Sequence, residues 1–515
     1  MGFDGVVYQI YPRSFRDTTG DGVGDLAGIT AGLDHLAWLG VDAVWLSPIY
    51  RSPMRDFGYD VSDHCDVDPT FGSLADLDAL IAAAHARGIE VWLDFVPNHT
   101  SSDHPWFQDA VGSRDAPRRE WYVWRDPAAD GGPPHTWIRH FAEGAPAWTL
   151  EPATGQYYLH QFLPEQPDVD WSHPPLREAM LDVLRFWMDR GIDGFRADVV
   201  HMTGKAPELA DDPPPYAGHP RAGHHHEPEA VAPHLQAIRR CLDAVPGTTM
   251  VGEVNLSDPA EVATYVGEDR LHLAFQFGLL SAPVTAPAWR EVIATVTAAF
   301  DAVGVPPTWV LSNHDGARIA TRAGGEAAAR VAAVLLLTLP GVPFIYMGDE
   351  LGLSDAEVPP ERVVDPGGRD GCRAPLPWTA EPDHGWAGEP WLPWPPEPEH
   401  RNLAVQRDDP GSVLHLYRRL IRLRREHPSL GPGPLRLREV HDEVIAVERG
   451  EAPTDAPGGP TLLVLANLGG DDVEVAAGQG WRVLLTSDGQ PHVEGERFGG
   501  VLRPRQAVIL ASPGA

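Results

Sequence analysis

Carboxylates, histidines and an arginine follow the ends of several strand-like runs in this sequence. They are Asp94 with Asn98 and His99, Arg196 with Asp198, Gly252 with Glu253, and Asn313 with His314 and Asp315. Two carboxylates that face one bond can supply a nucleophile and a general acid, which suits the cleavage of a glycosidic bond without metal or nucleotide. No GxSxG elbow, HExxH motif or glycine-rich phosphate loop in the sequence suggests a competing chemistry.

Each of these polar residues also has an ordinary structural explanation. Asp and Asn are common at helix caps and turns, so any one of them could serve the backbone alone. Arg196 and Asp198 alternate on one face of an apolar run, where two opposite charges are costly unless they pair or serve a substrate. Because so many titratable residues recur at strand ends, we favour a site over a set of unrelated caps.

Eight strand-like runs alternate with helical ones along the first 350 residues. The runs are Val6–Tyr11, Asp42–Leu46, Val91–Val96, Asp193–Val199, Thr249–Val254, Leu273–Phe277, Trp309–Ser312 and Pro343–Met347. Helical patterns between them include Thr30–Leu39, Leu74–Arg87, Pro175–Arg190, Glu229–Ala244, Ala288–Val303 and Glu326–Leu339. This order predicts an α/β fold, a (β/α)8 TIM barrel, with an open doubly wound sheet as the alternative. In a barrel the polar residues at the strand ends would meet on one rim.

Two segments interrupt or follow this alternation. Residues 101–171 are rich in Trp, Pro, Gly and Asp and lack a helical period, which predicts an inserted subdomain after the third strand. From residue 431 to residue 515 the pattern changes to short strands with Gly and Pro turns, which predicts a C-terminal β-sandwich domain. The catalytic barrel is accordingly expected over residues 1–100 and 172–430.

Composition narrows the class of protein. The 515 residues are 43% hydrophobic and carry a formal net charge of -33, which argues against nucleic acid and anionic membranes as partners. Three scattered cysteines form neither a disulfide framework nor a CxxC metal site. No basic and apolar leader precedes the first strand, and the longest apolar run, Val331–Met347, is interrupted by prolines. We expect a cytoplasmic protein, and the oligomeric state stays open.

Several motifs, taken in order, resemble the α-amylase family of glycoside hydrolases (family 13), on its α-glucosidase side. They are Gly40–Pro48, Asp94–His99, Gln166–Asp170, Gly194–Asp198, Gly252-Glu253, Asn313–Asp315 and Gly341–Glu350. By that resemblance Asp198 is the nucleophile, Glu253 the general acid/base and Asp315 the stabiliser of the transition state. We expect Arg196 to keep Asp198 ionised, and we expect the pKa of Glu253 to be raised by its surroundings.

The resemblance also implies a sugar pocket. Its predicted members are Asp56, Tyr59, His99, Phe162, Gln166, Arg196, His314 and Arg373. Tyr59 is expected to stack under the terminal glucose, while His99 and His314 would bond its hydroxyls. An Asp56–Arg373 pair would close the non-reducing end of the pocket and impose exo cleavage. Arg369, in the same Arg-containing stretch, is left without a firm role.

The activity implied is a retaining exo-α-glucosidase that acts on short α-glucosides, with transglucosylation as a side reaction. A sucrose- or trehalose-remodelling glucosyltransferase or isomerase would use the same residues, because loop shape decides whether water or a sugar resolves the intermediate. A non-catalytic ancillary protein is disfavoured, since Asp198, Glu253 and Asp315 are all present. Val199, next to the nucleophile, does not settle the preferred linkage.

Two segments of the sequence raise the question of a bound metal. Oxygen ligands recur at alternate residues Asp17, Thr19, Asp21, Val23 and Asp25, which suits a structural Ca²⁺ or Mg²⁺ ion. The loop is not an EF-hand, because position twelve is Gly28 rather than Glu. Three adjacent histidines, 224–226, lie in the His- and Pro-rich segment 205–228, where we expect a solvated loop and not a metal site. No organic cofactor is expected.

Overall fold

Eight short parallel strands form one sheet in the computed structural model, which describes residues 2–141, 144–205, 228–431, 433–450, 461–477, 480–490 and 493–512. The strands are β1 (Val7–Ile10), β2 (Ala43–Leu46), β3 (Glu90–Phe95), β4 (Gly194–Ala197), β5 (Thr249–Gly252), β6 (Leu273–Ala274), β7 (Thr308–Val310) and β8 (Val342–Tyr346). Their order is β6-β5-β4-β3-β2-β1-β8-β7, so β1 pairs with both β2 and β8. The predicted (β/α)8 barrel is confirmed.

The barrel closes between β6 and β7 through a side chain. Thr308 Oγ1 donates to the Ala274 carbonyl at 2.7 Å and accepts from the Gln276 amide at 3.3 Å. The interior below the strand ends is filled with apolar side chains. They include Val7, Ala43, Trp45, Trp92, Val251 and Phe344. The barrel centre is therefore a packed core, which leaves the carboxyl ends of the strands as the place for a site.

In the described part of the chain, eight main helices accompany the strands. They are α1 (Leu26–Leu39), α2 (Leu74–His85), α3 (Pro174–Asp189), α4 (Pro228–Leu242), α5 (Pro259–Ala263), α6 (Ala286–Val303), α7 (Glu326–Thr338) and α8 (Val413–Glu426). Short helices at Pro105–Val111, Gly278–Ser281, Ile319–Arg322 and Leu403–Asp408 lie in the connections. Local capping fixes several starts: Asp25 accepts the Gly28 amide at the start of α1, and Ser73 and Asp76 form a capping box on α2.

Four smaller antiparallel sheets lie outside the barrel in the described residues, and one of them is the pair Tyr50–Arg51 and Asp63–Val67 after β2. Between β3 and β4 the chain forms a three-stranded antiparallel sheet from Trp124–Arg125, Trp148–Glu151 and Gln156–Leu159. After α8 it forms an antiparallel sheet with a two-stranded companion. The five strands, in spatial order, are Leu435–His441, Val444–Arg449, Leu462–Asn467, Ala507–Ala511 and Arg482–Thr486, and Val473–Glu474 pairs with Val501–Leu502. We propose that these two regions are the inserted and C-terminal domains, with the boundaries predicted above.

Two expectations cannot be followed into the structure. Most of the 205–228 segment, including the three histidines at 224–226, lies outside the described residues. Within the described part of the chain, no helix combines the length and apolarity needed to cross a membrane.

Candidate active site

A single buried guanidinium joins three carboxylates at the carboxyl ends of neighbouring strands. Arg196 Nη1 lies 2.5 Å from Asp94 Oδ1 and 2.8 Å from Asp198 Oδ1, and Nη2 contacts Glu253 Oε2. The parallel register explains this convergence, because Arg196 on β4 stands beside Asp94 on β3 and Val251 on β5. Asp198 and Glu253, on adjacent strand ends, therefore bond to neighbouring nitrogens of one cation.

The protonation of this cluster differs from the sequence-based expectation. Burial raises the pKa of Asp198 well above its usual range; the Arg196 charge lowers it, but the nearby Glu253 and Asp94 carboxylates raise it again. Burial also raises the pKa of Asp94, to about 6. The prediction that Arg196 keeps Asp198 ionised therefore needs correction, because three carboxylates share one cation. Burial and the neighbouring carboxylates favour the protonated form of Asp198 more than its contact with Arg196 alone would suggest.

The backbone turns sharply after Asp198. Val199 has a φ of 33° in the left-handed region, which is strained for a β-branched residue. The short 3-10 helix Val200–Thr203 starts there, and the Val199 amide lies 3.4 Å from Glu253 Oε2. The turn thus brings an amide toward one carboxyl while it ends the strand that carries the other.

A cavity of about 360 Å³ opens above the cluster. Seven of the eleven predicted site residues line it: Asp56, Tyr59, His99, Phe162, Asp198, Glu253 and Asp315. The other four, Gln166, Arg196, His314 and Arg373, contact the lining residues from behind. Seven lining residues are not predicted from the sequence: His140, Phe141, His201, Met202, Asn255, Leu256 and Gly367. Val199, which the sequence singles out only for linkage preference, also lines the cavity. Arg369, which had no firm role, also lines the cavity.

One wall is organised around a buried histidine. His314 Nε2 lies 2.7 Å from the Tyr59 hydroxyl and 3.2 Å from Asp315 Oδ2, while Gln9 Nε2 lies 2.8 Å from His314 Nδ1. An amide donated by Gln9 to Nδ1 leaves the imidazole proton on Nε2, toward Tyr59 and Asp315. Burial lowers the pKa of His314 to about 3. The imidazole is therefore neutral and holds the Tyr59 ring and Asp315 by hydrogen bonds.

A second part of the wall depends on Gln166. Its Nε2 lies 3.1 Å from Asp56 Oδ2 and 3.2 Å from His99 Nε2, and its Oε1 accepts the Leu163 amide at 3.1 Å. Burial, with a contribution from the charge of Lys205, lowers the pKa of His99 to about 3. Gln166 thus orients two lining residues, Asp56 and a neutral His99, without lining the cavity.

Arg369, and not Arg373, pairs with Asp56. Arg369 Nη2 lies 2.7 Å from Asp56 Oδ1, and Nη1 lies 2.9 Å from Asp315 Oδ1. Arg373 is fully buried; its Nε donates to the His314 carbonyl at 2.8 Å and its Nη2 lies 3.3 Å from Asp315. The predicted Asp56–Arg373 pair is therefore wrong. Arg369 precedes the 3-10 helix Asp370–Arg373 and Arg373 ends it, and both arginines contact the same oxygen of Asp315, Oδ1.

Asp315 is the anion of the site. Burial would raise its pKa, but His314, Arg369 and Arg373 together lower the pKa well below the usual range of a carboxyl. Its side chain remains about one-third exposed, toward the cavity that it lines. The ionised form of Asp315 is therefore favoured, in contrast to Asp198, whose pKa is raised.

The N-terminal acidic loop is held by its own backbone. Asp17 accepts the amides of Thr19, Gly20 and Gly22, and Asp25 accepts the amide and hydroxyl of Thr18. Across the described ranges, no three His, Cys, Asp or Glu side chains gather as a metal-binding group. The ion in this loop stays a prediction; the carboxylates present suit a hard cation, but they already serve the turn.

Comparison with known proteins identifies the family. The profile of the alpha amylase catalytic domain matches residues 9–433. A probable alpha-glucosidase of Rhizobium meliloti is 42% identical over 479 residues, 86% of each chain, and an oligo-1,6-glucosidase of Parageobacillus thermoglucosidasius is 36% identical over 82% and 83%. A crystal structure of an alpha-glucosyl transfer enzyme, XgtA, matches with a TM-score of 0.91 and 39% sequence identity. The match covers 99% of this chain and 98% of that chain. The fold and site define a carbohydrate-active hydrolase. The chain belongs to the α-amylase family of glycoside hydrolases.

Proposed function

We propose that this enzyme is a retaining exo-acting α-glucosidase that removes the terminal non-reducing α-glucosyl residue from short α-glucosides. The observation that carries the proposal is a cavity of about 360 Å³ with Asp198, Glu253 and Asp315 on its walls and the Asp56–Arg369 ion pair beside them. Relatives named alpha-glucosidase and oligo-1,6-glucosidase support the same activity.

The proposed reaction is a double displacement. Asp198 attacks the anomeric carbon while Glu253 protonates the departing oxygen; Glu253 then deprotonates the water that hydrolyses the glucosyl ester. The proposed first step requires a proton on Glu253 and an ionised Asp198. Arg196 contacts both carboxyls, so the guanidinium can stabilise Asp198 as an anion while Glu253 carries the proton.

Asp315 and the two neutral histidines complete the proposed machinery. Charge develops on the sugar ring in the transition state, and an ionised Asp315 would stabilise it more than the uncharged substrate. His99 lines the cavity, while His314 lies behind Tyr59 and fixes Asp315. As neutral imidazoles, His99 would bond sugar hydroxyls and His314 would act by orienting its two neighbours.

Exo cleavage is proposed from the position of one ion pair. Arg369 bridges Asp56 and Asp315, so charged groups occupy the wall where a longer chain would have to continue. A terminal glucose can bond these groups through its hydroxyls, whereas an internal residue would leave them unsatisfied. Substrate would therefore enter with its non-reducing end first.

Glucosyl transfer is a second candidate for the same site. The cavity wall contains Val199, Met202 and Leu256, which provide apolar surface near Glu253. Such surface could hold an acceptor in place of water, and a relative of 39% identity is named as an alpha-glucosyl transfer enzyme. A sucrose- or trehalose-remodelling reaction belongs to this second candidate, because a sugar would again resolve the intermediate.

One experiment tests the activity and separates the candidates. The purified enzyme is incubated with maltose, isomaltose, sucrose and trehalose, and products are followed by chromatography and proton NMR. We expect free glucose, released first as the α anomer. A β anomer released first would contradict double displacement, and new oligosaccharides or isomers in place of glucose would favour transfer.

Two smaller proposals accompany the activity. We propose that the enzyme works in the cytoplasm, because Cys65, Cys241 and Cys372 are all free thiols. We also propose a structural Ca²⁺ or Mg²⁺ in the loop of Asp17, Thr19, Asp21, Val23 and Asp25. Its support is the alternation of oxygen ligands, and a test follows in the Discussion.

A further inference from the structure

Arg369 is surrounded by more acceptors than the proposed sugar pocket requires. Two of its contacts, with Asp56 and Asp315, belong to that pocket. The remaining hydrogen bonds of its guanidinium go to Asp365, a residue that is not among those lining the cavity. Asp365 Oδ2 accepts Arg369 Nε at 2.9 Å, and Oδ1 accepts Nη2 at 2.7 Å. Asp365 therefore binds in a bidentate manner to the Nε–Nη2 edge of the guanidinium, whereas Nη1 is the nitrogen that contacts Asp315.

Asp365 is itself fixed rigidly. Its side chain has no exposed surface, and its Oδ2 also accepts the Arg369 amide at 2.7 Å. Its own amide donates to Asp370 Oδ2 at 3.1 Å, and Gly368, with a φ of 72°, closes the turn with a 3.1 Å bond to the Asp365 carbonyl. Asp365 Oδ1 also lies 3.4 Å from Arg373 Nη1. One carboxylate therefore contacts both arginines that reach Asp315.

The geometry of an arginine explains why this bidentate contact matters. A guanidinium is a planar fork, so fixing Nε and one edge of Nη2 determines where Nη1 points. In this structure Nη1 points at Asp315 Oδ1, 2.9 Å away. The Phe141 ring lies 4.6 Å from the Arg369 guanidinium and limits its tilt. Without Asp365, Arg369 would be free to move toward either remaining carboxylate.

We infer that Asp365 is a positioning residue, which acts through Arg369 to hold the closed end of the pocket and the orientation of Asp315. The inference rests on the proposed function, because it assigns Arg369 to the glucose-binding wall. It predicts that loss of Asp365 weakens recognition of the glucosyl ring only while Arg369 is present. A residue that merely stabilised the loop would weaken recognition whether or not Arg369 was there.

A double-mutant cycle tests this dependence. Wild type, Asp365→Asn, Arg369→Lys and the double variant are compared by calorimetric binding of 1-deoxynojirimycin, a glucose-shaped iminosugar. We expect each single variant to bind at least 10-fold more weakly, equivalent to about 1.4 kcal/mol, and the double variant to be no weaker than Arg369→Lys alone. Losses that multiply in the double variant would overturn the inference, as would unchanged binding in Asp365→Asn.

A second variant displaces the pair without removing a charge. A Cβ at Gly367 would lie 2.9 Å from Arg369 Nε and 3.1 Å from Asp365 Oδ2. Gly367→Ala should therefore weaken iminosugar binding about as much as the loss of Asp365 does. It tests the inference independently if Asp365→Asn does not fold. Glu361→Gln, an exposed carboxylate in the same connection, is the matched control and should bind as wild type. Wild-type binding by Gly367→Ala would count against the inference.

The same variants separate this inference from the proposed function. Hydrolysis of maltose and isomaltose is measured beside binding, and we expect KM to rise more than kcat falls in Asp365→Asn. An enzyme that binds the iminosugar with the expected coupling but cleaves no α-glucoside would refute the proposed activity and leave the positioning role intact. An enzyme that cleaves α-glucosides but shows no coupling between Asp365 and Arg369 would refute the positioning role and leave the proposed activity intact.

Discussion

Asp56 and Arg369, which are 313 residues apart in the chain, form a 2.7 Å ion pair at the wall of the cavity. Asp56 follows β2, and Arg369 follows β8; these two strands flank β1 in the closed barrel. In the proposed exo mechanism this pair closes the end of the pocket beyond the terminal glucose.

The two arginines should respond differently to truncation. Arg369→Ala leaves Asp56 without its cation and should lower kcat/KM for disaccharides by ~10², equivalent to about 2.7 kcal/mol, mainly through KM. Arg373→Ala removes a fully buried side chain that donates to the His314 carbonyl. This variant should therefore lose thermal stability in addition to activity, and its melting temperature should fall. Paired kinetics and thermal unfolding check this. Rapid cleavage of an end-blocked maltooligosaccharide by wild type would contradict the closed end.

Asp198→Asn should keep the fold and lose the covalent step. Arg196 would still bond Asp94 and Glu253, so the buried cluster keeps most of its contacts. Turnover of an aryl α-glucoside should fall by several orders of magnitude, since the nucleophile is removed. Asp182→Asn, at an exposed position on α3, is the control and should behave as wild type. Turnover near the wild-type level in Asp198→Asn would remove the assignment.

A pair of buried histidines gives a test of stability against pH. His64 Nδ1 lies 3.3 Å from His104 Nε2, and burial lowers the pKa of His64 to about 4, against about 6.5 in an unfolded chain. Between these values the unfolded state binds more protons, so His64 adds stability as pH rises to 6.5 and loses it as pH falls toward 4.

The test of this sign compares wild type with His64→Gln by urea unfolding at pH 7 and pH 5. The substitution should cost less at pH 5 than at pH 7, by up to about 2 kcal/mol, because the wild-type advantage fades at up to about 1.4 kcal/mol per pH unit. His400→Gln, at an exposed position, should show no such difference. A cost that stays constant or grows toward pH 5 would contradict the burial of a neutral His64.

The N-terminal loop should bind a divalent cation. Asp21 is exposed and accepts the nearby Val23 amide, so Asp21→Asn removes a ligand with little damage to the loop. Ca²⁺ should raise the melting temperature of wild type, because it binds the native state alone, and should raise that of Asp21→Asn less. A wild-type melting temperature that changes with neither Ca²⁺ nor a chelator would contradict the proposed ion site.

The barrel and its rim could be predicted because their signals are local. Each strand is a short apolar run bounded by turn residues, and the polar residue that ends it needs no distant information. Asp94, Asp198 and Glu253 were found in this way, and the barrel rule placed them on one rim. Their convergence on Arg196 then follows from the parallel register of β3, β4 and β5.

The rest depends on contacts between distant loops, which spacing does not determine. Arg369 and Arg373 are four residues apart, and the sequence does not say which one meets Asp56. Phe141 and Leu256 reach the cavity from loops without a periodic pattern. The raised pKa of Asp198 arises from burial and from other carboxylates near one cation, a sum that pairwise reasoning about Arg196 missed.

The most direct measurement is the identification of the residue that carries the glucosyl group during turnover. The enzyme is treated with 5-fluoro-α-D-glucosyl fluoride, which slows hydrolysis of the intermediate, and its peptides are analysed by mass spectrometry. We predict one fluoroglucosyl label, on the peptide that contains Asp198, and none in Asp198→Asn. A label on a different carboxylate would contradict the account. So would a wild-type enzyme that turns over rapidly and is not inactivated by the reagent.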